Sequence, residues 1–206
     1  MERSLRVGAA VFNAGDHHAA HDAWEDEWLS LDEGTADERL LHGLIQYTAA
    51  VYHVGNRNWS GAQGLATSAG AYLDEVASDY RAVNVGDVRG YLGRLAADPE
   101  FGERAPPVPL RVNGSVVRAA DLSVEEVADA AAVVAEDYEA FDESVLADAA
   151  RYAREEVESG ESTTRFVALL FEFVGDRERR GLVYQRLGEH VDRRRGREAD
   201  VSGLFE

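Results

Sequence analysis

Apolar residues recur at three- and four-residue spacing along nearly the whole chain, and the rhythm breaks in one place. All four prolines, Pro99, Pro106, Pro107 and Pro109, fall between residues 98 and 110. Proline lacks a backbone donor and clashes with the preceding helical turn, so this stretch reads as a linker or crossing strap. Before it, the periodicity predicts helices over 3–12, 16–30, 37–54, 61–80 and 86–96. Asn13 or Asp16 is placed to cap the second, and Asn58 or Ser60 the fourth. After the strap, Asn113-Gly114 between two β-prone runs over 110–118 signals a small hairpin. Ser123 and Glu126 have capping-box spacing for a helix over 124–138. Asp142 opens another that Gly160 stops, and Asp176 can cap a last helix over 177–195. Residues 163–174 are apolar on nearly every side, which marks a buried helix. The expected fold is therefore all-α. It comprises a helical bundle (1–97), a proline-rich strap with a minor hairpin (98–120) and a C-terminal helical extension (121–206) whose apolar helix needs cover.

Charge narrows the solvent more than the function. Asp and Glu number 39 against 21 basic residues, all of them Arg, for a net charge of −18. Self-repulsion of that size strains a compact state at low ionic strength, while at molar salt the screening length falls to about 3 Å. Arginine's planar fork can hold several carboxylates where a lysine point charge would not. This resembles the composition of proteins from extreme halophiles. Dialysis into dilute buffer is accordingly expected to abolish the helical circular-dichroism signal; a cooperative melt retained without salt would refute that. No cysteine is present, which excludes disulfides, thiolate metal sites and cysteine nucleophiles. Apolar runs are too short to span a bilayer and the N-terminus lacks a signal-like apolar region, so a soluble cytoplasmic protein without a membrane partner is expected. P-loop, GxGxxG and GxSxG signatures are missing.

One run carries chemistry. Residues 21–28 read His-Asp-Ala-Trp-Glu-Asp-Glu-Trp, an HxxxExxW pattern. On a helix His21 and Glu25 share a face, Trp28 closes the same stripe and Trp24 borders it. On the next helix His42, Gln46, Ala49 and His53 form a second stripe at spacings of four, three and four. If the stripes face each other, the bundle encloses imidazoles, a carboxylate and an amide. That donor set suits Zn²⁺, Fe²⁺, Mn²⁺ or Ni²⁺, and three protein ligands would leave a water position open. Metal-bound water is a hydrolytic nucleophile, with Glu25 as ligand or base. The competing reading is a structural polar network in a non-enzymatic scaffold, since buried polar groups can specify a core without catalysis. Neither HExxH nor the paired ExxH of di-iron bundles occurs.

Phe12-Asn13-Ala14-Gly15, then His21, Glu25 and Trp28, then Gly43-Leu44-Ile45-Gln46, Tyr52-His53 and Asn58 to Ala62 resemble a prokaryotic family. It is the helical domain of unknown function number 309, recognised by the HxxxExxW motif. The resemblance covers roughly residues 5–75 and implies a small helical bundle with a suggested metal site. With it, the expected ligands are His21, Glu25 and His53, supported by Gln46 and His42, with Trp28 as the motif aromatic. Position 17 departs from the family, having His where an aromatic residue is usual, and His17 is expected to fill a ring-shaped space.

The last helix offers a different reading. Residues 177–197 hold eight Arg and three acids. Arg193-Arg194-Arg195 could contact phosphates, but basic residues there also complement the helix dipole and the protein's own acids. Because phosphate contacts weaken steeply with salt, nucleic acid is the less favoured partner. Self-association is left open.

Overall fold

In the computed structural model, which describes residues 1–160 and 165–202 with side chains to 200, ten α-helices carry the fold. The chain divides into two compact units, Met1–Arg118 and Ala119–Glu206. In the first, α1 (Glu2–Asn13), α2 (His17–Leu29), α3 (Ala36–Gly55), α4 (Trp59–Asp74) and α5 (Val85–Ala97) pack each on the next. Short connections from α1 through α4 make those successive helices antiparallel neighbours. Thr35 Oγ1 caps α3 by accepting from Glu38 N at 3.2 Å, and Asn58 Oδ1 caps α4 by accepting from Gly61 N at 3.1 Å. Trp24, Leu40, Leu44, Tyr47, Leu73 and Leu92 fill the interior. Two glycines set how closely the helices approach. A Cβ on Gly8 would fall 2.2 Å from Trp24 ring atoms, and one on Gly43 would fall 2.5 Å from Leu73 Cγ.

The helix expected over 61–80 ends at Asp74. The chain bends because Tyr80 and Arg81 turn back to α3, where Tyr80 Oη donates to Asp37 at 2.9 Å and Arg81 Nε at 2.8 Å. Arg81 and Ala82 take left-handed φ of 54° and 56°, and Val83 then bridges to Val112. After the short α6 (Phe101–Arg104), β1 (Arg111–Val112) and β2 (Ser115–Val116) form the expected hairpin, with Asn113 and Gly114 both at positive φ. Asn13 does not cap α2; Asp16 stands at the N-cap position. Asn13 instead clamps the hairpin stem, donating to Leu110 O and Val117 O and accepting from Leu110 N, each at 2.8 Å. Tyr47 Oη also donates to Val108 O at 2.9 Å, so strap and hairpin are integral to the first unit.

The second unit contains α7 (Val124–Asp137), α8 (Glu143–Ser159), α9 (Arg165–Gly175) and α10 (Arg180–Ser202). Its local signals work as expected: Ser123 and Glu126 form the capping box, Asp142 caps α8, and Gly160 ends it in the left-handed conformation. Asp176 accepts from Arg179 N at 3.0 Å ahead of α10. The apolar helix expected from residue 163 is described from Arg165; its first two residues lie outside the described residues. Phe166, Leu169, Leu170, Phe173 and Val174 are buried against α7, α8 and α10. Buried Arg180 donates from Nε to Phe173 O at 2.8 Å, closing the C-terminal end of α9. Arginine forks gather acids as their geometry allows, Arg151 reaching Asp148, Glu155 and Glu198. Among the described residues, no helix is long and apolar enough to cross a membrane.

Candidate functional site

Two ring contacts set the register of α2 against α3. His18 lies 5.7 Å from Tyr52 and Trp28 lies 4.6 Å from His42, centroid to centroid. α2 and α3 thus pack along one seam, with Trp28 and His42 toward one end and His18 and Tyr52 toward the other. The seam has two chemically distinct ends.

At the first, His21, Asp22 and Glu25 each bring a ligand atom to within 4.8 Å of the others, and all three are half-buried. His21 Nδ1–H donates to Asp22 Oδ1 at 2.9 Å. That hydrogen bond raises the His21 imidazole above its ordinary value; burial opposes it, while the charges of Asp22 and Glu25 add to it. His18 stands nearby, with its Nδ1 3.7 Å from Asp22 Oδ2.

The expected third ligand is not there. His53 lies in the last turn of α3, outside the His21 group, and Asn58 donates from Nδ2 to its Nδ1 at 2.9 Å. The same Asn58 caps α4, so the α3–α4 turn orients this imidazole. Asp22, rather than His53, completes the group with His21 and Glu25. It was readable in principle, because one residue after His21 and three before Glu25 it borders the same face, but four-residue spacing alone passes over it.

The second end is organised by Glu38, which the sequence reading missed. This carboxylate is 8 % exposed and accepts from Trp28 Nε1 at 3.1 Å, His42 Nδ1 at 3.1 Å and Gly34 N at 3.4 Å. Burial pushes the Glu38 carboxyl up, yet the bonds from Trp28, His42 and Gly34, with the charge of His42, hold it below the ordinary value. His42 is sandwiched between Trp28 and Tyr72, with the Tyr72 ring stacked at 3.9 Å. These groups border a cavity of about 450 Å³ that Glu33, Arg39 and Glu75 also line. His42 thus belongs with Glu38, not with His21. Between the two ends, Gln46 Oε1 is buried without a hydrogen-bond partner among the described residues. His17 packs its ring on Phe12 at 4.9 Å, as expected of a space filler.

An all-α protein whose HxxxExxW helix lines one seam with its neighbour is the class that fold and site define. Residues 5–65 match the family model described as Domain of unknown function (DUF309), and the chain carries a domain of that family there. The match spans α1 to α3 and the start of α4, and so contains both ends of the seam except Tyr72 and the α4 wall of the cavity. No curated protein matches the chain.

Proposed function

We propose that the first unit binds a divalent transition-metal ion through His21, Asp22 and Glu25. The carrying observation is that these three ligand atoms already lie within 4.8 Å of one another on one helix face. Donors on one tetrahedral zinc sit roughly 3.3 Å apart, so small rotamer changes suffice. One nitrogen and two carboxylate oxygens suit Zn²⁺, Mn²⁺, Fe²⁺ or Ni²⁺. An ion held by three protein groups keeps a position for water and supplies Lewis acidity there. Binding, not catalysis, is the reading, because the cavity of the first unit described above is lined by His42 and not by the His21 group.

Isothermal titration with Zn²⁺ and with Mn²⁺ tests it. His21→Ala and Glu25→Gln are expected to abolish stoichiometric binding, while His53→Ala leaves it intact. Affinity should increase as pH rises through the elevated His21 value, because the imidazole must lose its proton to coordinate. Asp22→Asn removes the group that raises that value, so the pH dependence should move downward as the affinity weakens. Binding that survives His21→Ala, or is lost in His53→Ala, overturns the assignment.

A structural role is favoured at the Glu38 end of the seam. Three donors from separate positions converge on one buried carboxylate, which satisfies a core polar group without needing an ion.

A further inference from the structure

The second unit contains a cavity of about 660 Å³ whose wall reverses the charge of the chain around it. Arg165, Arg193, Arg194 and Arg197 line it together with His190, against a single carboxylate, Glu156, in a protein of net charge −18. Three helices bring them together: Glu156 from α8, Arg165 from the first turn of α9, and the others from successive turns of α10.

The one acid does not neutralise these arginines. Its carboxylate accepts from the backbone N–H groups of Arg165, Phe166 and Val167 at 2.9–3.2 Å, so it serves the α9 N-terminus. Arg194 is paired with Glu155 at 3.1 Å and Glu198 at 3.7 Å, while Arg193 donates to His190 Nδ1 at 2.9 Å and reaches Glu189 at 3.9 Å. Arg165 and Arg197 form no ion pair among the described residues, and the single side-chain bond of Arg197 is to the Arg193 carbonyl. The chain has nearly two acids for every arginine, yet two guanidinium groups without an ion pair among the described residues line this one cavity. His190 registers the resulting field. Burial first, then Arg193 and Arg165, push its imidazole below the ordinary value, and Glu189 and Glu156 only partly offset them.

We infer that this cavity binds a compact, multiply charged phosphate-type anion, with Arg165 and Arg197 as the principal contacts. Planar guanidinium forks match phosphate oxygens bidentately, and the volume fits a small phosphate ester. A bare helix dipole is not the attraction, since Glu156 already occupies that end of α9.

The probe is inorganic pyrophosphate, titrated calorimetrically into the whole protein at constant salt. One saturable site is expected. Arg165→Ala combined with Arg197→Ala should weaken it by roughly tenfold or more, the size expected for lost charge-assisted hydrogen bonds. Arg57→Ala combined with Arg104→Ala removes the same charge from the first unit and should leave the site unchanged. In the wild type, saturation should shift the imidazole titration of His190 to higher pH by nuclear magnetic resonance, a readout that needs no variant to fold. Equal weakening in both double variants, or an unmoved His190, overturns the inference. So does a single-stranded oligonucleotide that binds where pyrophosphate does not.

Discussion

Trp24→Ala is expected to cost the first unit about 3–5 kcal/mol, the range for deleting a large buried aromatic side chain. Trp24 has no solvent exposure, and its Nε1–H donates to Ser4 O on α1 at 2.9 Å. Its ring lies against Gly8, where any side chain would collide with it. Truncation therefore opens a cavity that the α1–α2 interface can close only by shifting whole helices. Against typical domain stabilities of about 5–15 kcal/mol, such a loss brings the unit near its threshold. Trp24→Phe separates the contributions: most apolar area stays, the bond to Ser4 goes, and a smaller loss of about 1–2 kcal/mol is expected. Urea titration of wild type and variants, followed by circular dichroism at constant salt, measures both. In the wild type and Trp24→Phe, fluorescence is selective for this unit because Trp24, Trp28 and Trp59 all belong to it. A loss under about 1 kcal/mol for Trp24→Ala would show that the site collapses freely and that Trp24 is not a core anchor.

What the sequence reveals here follows the range of each interaction. Capping at Ser123 and Asp142, the left-handed stop at Gly160 and the turn at Asn113-Gly114 involve groups within three or four residues of one another, and each is readable locally. The pairing of His21 with Glu25 is equally local, since one helical turn brings them together. Asn13 shows the limit. A helix-end asparagine reads as a cap, yet its amide serves backbone groups 97 and 104 residues away, which no periodicity specifies. The early end of α4 has a similar cause, because Asp37 competes for Tyr80 and Arg81 from more than forty positions upstream. His53 stands outside the His21–Asp22–Glu25 group. Its level along the seam depends on where α2 starts relative to the end of α3, which helical spacing does not give. Two stripes can face one another and still place equivalent residues a turn apart.

Glu38 carries the other large expected effect, and it joins the fold to the cavity. Glu38→Ala is predicted to cost about 2–4 kcal/mol, because it removes charge-assisted bonds and leaves the Trp28 and His42 donors without an acceptor in a nearly buried site. Glu38→Gln keeps the shape but turns one acceptor into a donor that must face another donor, so a smaller loss is expected. The pH dependence distinguishes this hub from a packing defect. Burial tends to raise the Glu38 carboxyl, but the three bonds and the His42 charge outweigh it, so its value in the folded state lies below that of an unfolded glutamate. A depressed folded value means the folded protein prefers the ionised form. The contribution is therefore fully present above the unfolded value, near pH 4.5, and fades as pH falls through the folded value below it. Urea midpoints for wild type and Glu38→Gln should differ most near neutrality and converge in acid. A gap that stays constant with pH would mean the ionised carboxylate contributes nothing and only its volume matters. Release of His42 provides an independent check: in Glu38→Ala no carboxylate meets its Nδ1, so the imidazole resonances of the ring between Trp28 and Tyr72 should shift even at neutral pH.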